Sequence, residues 1–260
     1  MGDTEGAGYE LDYIPIMDLV WGKGFIAPGG EGNVDRIVKG VDLNGKRVLE
    51  LGSGAGGGTL VLASKYGANV VGLDLEAPLI ELSRENASDA GLSDKVEFRC
   101  IEPGPLPVED ASFDVFYTSG VLCHIEDRLS LFRDALRVLK PEGILLGYDW
   151  FPTTLSDDIN NWMNAAGLHL FPDNLENYTK TMREAGFENV YYSDASSWYQ
   201  KRAAQELAEL EGPLFEKAAE VTNEEMRDSI IAEWHALNVV LQSGELRSGY
   251  FQGRKPPDAI

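Results

Sequence analysis

Apolar residues recur along this chain with two periods, and the switching between them outlines the architecture. From Arg47 onward, short apolar runs of strand length alternate with amphipathic stretches of helix length. The pattern predicts strands over Val48–Leu51, Asn69–Asp74, Val96–Cys100, Phe113–Thr118 and Ile144–Tyr148. Between them it predicts helices over Thr59–Lys65, Ala77–Ala90 and Arg128–Leu139, with a KPEG turn before the fifth strand. Such alternation implies an α/β fold, a Rossmann-like doubly wound parallel sheet wrapped by helices. Ligands in these sheets bind at the carboxyl ends of the strands, which here carry Glu50, Asp74, Glu102, Thr118 and Asp149.

Upstream, Tyr9, Tyr13, Ile16, Met17, Val20 and Trp21 fall at helical spacing and suggest a helical lid across the ligand mouth. The turn-rich GKGFIAPGG connector and a helix over Asn33–Val41 follow. Beyond Phe151 the pattern predicts helices over Leu155–Ala166, Leu175–Ala185, Trp198–Val221 and Glu224–Ser243. A strand in GFENVYYSDAS and a last one in LRSGYFQGRK complete the reading. The organisation is then an N-terminal lid and connector over 1–45, a ligand-binding core over 46–150, and a segment over 151–260 that completes the sheet and supplies a helical cap, all in one structural unit.

The most specific stretch is RVLELGSGAGGGTL, residues 47–60, a strand entering a glycine turn that opens a helix. Five glycines within seven residues give up much chain entropy, which makes an ordinary strand-turn-helix without a ligand a poor explanation. The first helical N–H groups point at whatever lies over the turn. Gly52-x-Gly54-x-x-Gly57 satisfies a dinucleotide fingerprint, and Asp74 follows at the distance of an acidic residue that takes ribose hydroxyls. NAD and S-adenosylmethionine (SAM) share that much. Glu50 favours SAM, because a carboxylate suits an ammonium and a sulfonium and is unwelcome beside a pyrophosphate.

Composition narrows the partners. The 260 residues carry a net charge of −21, with 43% hydrophobic residues. So acidic a surface repels nucleic acid and anionic membranes. It fits a salt-stressed habitat or simply an acidic cytoplasmic protein. Two cysteines, Cys100 and Cys123, form neither a disulfide framework nor a metal-type cluster. The first residues lack the basic and apolar regions of a signal peptide, and no apolar run is long enough to span a membrane.

ELGSGAGGG, Asp74, FDVFYTSGVLCHI and LKPEGILL, in that order and spacing, resemble class I SAM-dependent methyltransferases. YELDYIPIMDLVWGKGFIAPGG and GYFQGRK are similar to the two ends of phosphoethanolamine N-methyltransferases, whose plan sarcosine and dimethylglycine methyltransferases share. The resemblance implies that Glu50, Gly52, Ser53 and Gly54 face the methionine end of SAM, that Asp74 binds the ribose, and that Leu75 and Glu102 meet the adenine. It implies that Ile26 and Ala27 cover the cofactor and that Ser119 also lines its site. His124 and Tyr9 occupy catalytic positions, with His124 a base for an amine that arrives protonated. Tyr13, Gly120, Tyr148 and Trp150 are the candidate acceptor contacts, Trp150 as an aromatic face for an ammonium.

Departures from the family matter as much. Gly120 stands where those enzymes carry an amine-binding aspartate. Trp150, Leu168, Leu170 and Gln252 stand where they hold a phosphate, which makes phosphoethanolamine a doubtful acceptor. Arg247 and Lys201 are candidates to meet a carboxylate. The expectation is a monomeric or homodimeric enzyme that methylates a small-molecule amine. A methyltransferase acting on sulfur, oxygen or carbon, and a SAM-binding protein without catalysis, are the alternatives.

Overall fold

The computed structural model describes residues 11–257. The alternating segments condense into one seven-stranded sheet ordered β3-β2-β1-β4-β5-β7-β6. Strands β1 (Arg47–Leu51), β2 (Asn69–Asp74), β3 (Val96–Cys100), β4 (Phe113–Ser119) and β5 (Leu139–Pro152) run parallel. Strand β7 (Leu246–Arg254) runs antiparallel between β5 and the edge strand β6 (Glu188–Asp194), so the sheet is mixed rather than wholly parallel. The reason is positional. The preceding helix delivers the chain at Leu246 opposite Pro152, the carboxyl end of β5, and the next strand can only run back.

Apolar side chains cover both faces of the sheet, which explains strands that read as nearly continuous apolar runs. Leu49, Leu51 and Phe116 pack with Phe132 and Tyr178 of helices α5 (Arg128–Val138) and α7 (Leu175–Ala185). Val48, Val70, Val115 and Tyr117 point the other way, against α2 (Gly30–Ile37) and α3 (Gly57–Ser64). Helices α1 (Ile14–Trp21), α4 (Ala77–Asp89) and α6 (Asp157–Ala165) complete that layer and the rim with α8 (Ser196–Glu211), α9 (Phe215–Val221) and α10 (Glu224–Ser243).

Three expectations shift. The helix expected over Trp198–Val221 is two, α8 and α9, because Pro213 bars helical backbone at Gly212. KPEG is a bulge inside β5: pairing starts at Leu139 opposite Phe113, slips, and resumes at Ile144 opposite Val115, with Glu142 at φ 62°. The helix expected from Asn33 begins at Gly30, after Gly29 in the left-handed region.

The N-terminal helix is fastened from beneath. Glu206 on α8, fully buried, accepts hydrogen bonds from Trp21 Nε1 at 2.8 Å, Trp234 Nε1 at 3.3 Å and Arg202 Nε at 2.9 Å. Burial pushes its carboxyl up to about 7 against those stabilising contacts.

Candidate active site

Strand β1 ends on the glycine turn, and β2 holds that turn in place. Gly52 N and Ser53 N both donate to Leu73 O, at 2.8 and 3.1 Å. Gly54 N donates to Asp74 Oδ2 at 2.7 Å, and Glu76 N to Asp74 Oδ1 at 3.1 Å. Gly54 sits at φ +52°, and a Cβ there would lie 2.6 Å from Ile26 Cδ1. The connector therefore reaches the turn only because residue 54 has no side chain. Gly57 N to Gly24 O (2.9 Å) and Gly24 N to Asp18 Oδ1 (2.8 Å) fasten it there.

The result is a cleft lined by Ile26, Ala27, Glu50, Gly52, Ser53 and Ser119, with Tyr117 at its back. Glu50 is buried and accepts a hydrogen bond from Thr59 Oγ1. Loss of solvent pushes its carboxyl up to about 8; the Thr59 hydroxyl opposes that shift and the Asp74 charge adds to it. Ser53 Oγ is buried with no hydrogen-bond partner in the protein. Outside that lining, at the carboxyl end of β2, exposed Leu75 and Glu102 lie near Asp74, whose carbonyl accepts from Ile101 N at 2.9 Å.

His124 ends a short 3₁₀ turn, Leu122–His124, after β4. Its Nδ1 lies 2.9 Å from His169 O. A carbonyl can only accept, so Nδ1 carries the proton and the Nε2 lone pair is left available. Burial holds the imidazole below its ordinary value of 6.5. The turn is anchored by Asp149, whose Oδ2 accepts from Cys123 N at 2.9 Å, and by Arg128 Nε, which donates to Leu122 O at 3.0 Å. Arg128 also pairs with Asp173 at 3.0 Å and donates to Phe171 O at 3.1 Å. Burial pushes Asp149 up to about 6, and the nearby Arg128 opposes that shift. Asp149 was expected at a ligand-binding strand end, but its anchoring role was not, and Arg128 and Asp173 were not among the expected site residues, since their partnership exists only in three dimensions.

The acceptor candidates divide. Gly120 lies across from the connector, a Cβ there coming 3.8 Å from Ala27 Cβ, and its N–H donates to Tyr148 O at 2.9 Å. Trp150 is half-buried at the carboxyl end of β5. Tyr148 is fully buried and packs on Trp198 and Tyr250, so its ring is core rather than an acceptor platform. Tyr13 is half-buried against the α1–α10 cluster. Tyr9 lies outside the described residues. Arg247 is exposed and pairs with Asp194 at 3.6 Å, and Lys201 is exposed on α8, so neither stands ready for a buried carboxylate. Gln252 pairs with Leu146 in the lower half of β5 and lines a separate surface recess with Asn189 and Tyr191, whereas Leu168 and Leu170 do pack in the Trp150 cluster.

Residues 49–147 match the model of a methyltransferase domain. The chain carries a methyltransferase domain with the class I methyltransferase fold. A phosphoethanolamine N-methyltransferase of Triticum aestivum is 32% identical over 250 residues, 95% of this chain and 48% of that protein. The chain thus spans about half the length of such curated relatives. Among solved structures, a phosphoethanolamine N-methyltransferase of Haemonchus contortus, bound to phosphomonomethylethanolamine and S-adenosylhomocysteine, superposes with TM-score 0.88 at 23% identity over 95% of this chain and 58% of that one. A putative sarcosine dimethylglycine methyltransferase of Galdieria sulphuraria gives 0.78 at 21% identity over 95% and 98%.

The methyltransferase cleft fits SAM on its own chemistry. A buried carboxyl at Glu50 gains from a cationic neighbour, Ser53 Oγ lacks a partner, and the glycine cradle would be filled by any Cβ at Gly54. Among the residues present, Glu50 and Ser53 would hold the amino-acid end, and Asp74 the ribose, with Leu75 and Glu102 beside the base.

Proposed function

We propose that the chain is a SAM-dependent N-methyltransferase acting on a small amine. The observation that carries this reading is His124, a neutral imidazole whose Nδ1–H is committed to His169 O and whose Nε2 is free to take a proton. The curated N-methyltransferase relatives support it. When bound, SAM supplies an electrophilic methyl group for in-line displacement. An ammonium acceptor has no lone pair, so it must first lose a proton, and His124 takes it through Nε2. Bound SAM would give up its methyl, the S–C bond breaking as the N–C bond forms, and His124 would pass its proton to solvent. The Asp149–Arg128 network fixes where Nε2 stands, and the Ile26–Ala27 connector keeps water from the cleft. The heavy negative charge fits the same reading: a cytoplasmic, monomeric or homodimeric enzyme with no nucleic-acid or membrane partner. No helix among the described residues is long and apolar enough to cross a membrane.

The test is S-adenosylhomocysteine release with ethanolamine, phosphoethanolamine, glycine, sarcosine, dimethylglycine and small thiols. Turnover of an amine is expected. In the His124→Ala variant kcat at pH 7 should fall by about 10²–10⁴-fold with SAM affinity unchanged. The deficit should shrink near pH 9, where more amine is already neutral. Turnover of thiols alone, or an unaltered variant at pH 7, would overturn the reading.

A further inference from the structure

Asn33 is almost wholly buried, with 2% of its surface exposed, yet it lines the cofactor cleft. Its Oδ1 accepts a hydrogen bond from the Tyr250 hydroxyl at 3.0 Å. Burial raises the Tyr250 phenol above its ordinary value of 10, against the opposing charge of Arg36, so it keeps the proton it donates. With the amide oxygen occupied, Nδ2 is left facing away from Tyr250, and it has no acceptor among the described residues. An amide nitrogen can only donate, and a buried donor costs free energy until something supplies an acceptor.

Two further features of the same wall favour an anion. Helix α2 opens at Gly30 after Gly29 in the left-handed region, and no side chain caps it. Its first N–H groups are therefore uncommitted, and Pro28 and Gly30 place that end of the helix on the cleft. Glu31 of the first turn is directed outward to Lys65, at 2.6 Å. The wall is also firmly set. Tyr250 packs on Tyr148 at 5.2 Å and on Trp198 at 6.3 Å, and a Cβ at Gly29 would lie 2.7 Å from Trp198 Cη2. No Arg or Lys is among the residues that line the cleft, and Arg36 of the same helix lies over the Trp198 ring at 4.7 Å. An anion entering here meets neutral donors.

We propose that Asn33 Nδ2, at the open N-terminus of α2, takes the α-carboxylate of the cofactor, that Tyr250 is the positioning residue for this amide, and that the pair makes the cleft select the cofactor over its decarboxylated form. The proposal rests on the SAM reading of the cleft and adds the residue that meets the anionic end. Glu50 lines the same cleft and suits the ammonium. A Lys or Arg in that lining would pair with Glu50 and compete with the ammonium. An amide donates to a carboxylate and leaves the acid free. Tyr250 stands on β7, 217 positions from Asn33, so the last strand of the sheet helps to shape a site built otherwise from the first half of the chain.

Calorimetric binding to the full chain tests the pair without any turnover. The ligands are S-adenosylhomocysteine, its decarboxylated analogue, which keeps the ammonium, and methylthioadenosine, which lacks both charges. Wild type should bind S-adenosylhomocysteine about tenfold or more tightly than the decarboxylated analogue. Asn33→Ala should weaken S-adenosylhomocysteine by about tenfold and leave the other two within about twofold, so that the preference collapses. Asn33→Asp keeps an oxygen for Tyr250 and sets negative charge in place of the amide, and should invert the preference. Tyr250→Phe keeps the ring and loses the hydroxyl, and should reduce the preference by about threefold. A purely structural role for Asn33 would weaken all three ligands alike, and that result overturns the proposal. So does a wild type without the preference, or one that both Asn33 variants retain. A wild type that binds none of the three removes the SAM reading along with the proposal, whereas tight binding with an unchanged preference in the variants removes the proposal alone.

Discussion

Glu50 has lost its water on a strand flanked by Leu49 and Leu51, and this makes it a reporter of what enters the cleft. With its carboxyl pushed up to about 8, it holds a proton in the ligand-free protein at pH 7. An ammonium or sulfonium placed beside it favours the carboxylate and draws the value down. Binding of SAM at pH 7 should therefore release close to one proton, and affinity should rise between about pH 6 and 8. Calorimetry in two buffers of different ionisation enthalpy reads the proton directly. Glu50→Gln should abolish the release and weaken SAM by roughly tenfold, about 1.4 kcal/mol. Binding with no proton release in the wild type would show that the cationic end of the cofactor lies elsewhere. Gly58 belongs to the same device: a Cβ there would stand 2.6 Å from Glu50 Oε1, so the carboxyl fits only against a bare backbone.

Elements bring together what the sequence keeps apart, and the turn bearing His124 shows how. The carboxyl of Asp149 on β5 and the guanidinium of Arg128 on α5 hold that turn, and Arg128 with Asp173 fastens it to the segment before α7. Arg128→Met removes a nearly buried ion pair and leaves Asp173 uncompensated, which should cost about 3–5 kcal/mol by urea denaturation. At a temperature where the variant is still folded, kcat should fall while SAM affinity holds, because the cofactor turn is anchored to β2 and the connector instead. Loss of SAM binding in the folded variant would mean that the two halves are not independent. This division also explains what could be read in the sequence. The glycine turn, Asp74 and His124 could be singled out as candidates because their signals lie within about 25 residues of chain or in a family motif. Strand periods revealed all seven strands, β1 to β7, and Gly212-Pro213 carried a visible break signal that helical amphipathicity on both sides concealed. The antiparallel direction of β7 has no signature in a period-two pattern. Nor do the partnerships of Trp150 with Tyr199 and of Trp21 with Glu206, which join residues 49 and 185 positions apart.

At the scale of the molecule, carboxyls raised by burial set how stability follows pH. Glu50, Glu233, Glu206 and Asp149 are raised to about 8, 8, 7 and 6 from 4.5, 4.5, 4.5 and 3.8, and burial raises Asp18 as well. A raised group retains a proton in the folded protein that the unfolded chain has already released. Its contribution is full below the unfolded value and disappears as pH climbs through the folded one. Asp35, Glu97, Asp114 and Asp127 are shifted down, so their contributions are present above the ordinary range and lost in stronger acid. The two sets together place maximal stability of the ligand-free protein between about pH 4.5 and 6, with a steady decline toward pH 8. The net charge of −21 acts in the same direction, since each proton lost adds to self-repulsion. Salt should recover part of the decline by screening surface charges and leave the buried part untouched. Thermal unfolding from pH 4 to 9, in low and high salt, measures both. Saturating S-adenosylhomocysteine should flatten the curve between pH 6 and 8, because a cation beside Glu50 removes that residue's share of the slope. A Tm that peaks near pH 8 without ligand would mean that these raised carboxyls are ionised in the folded protein, and the proton release predicted for Glu50 would fail with it.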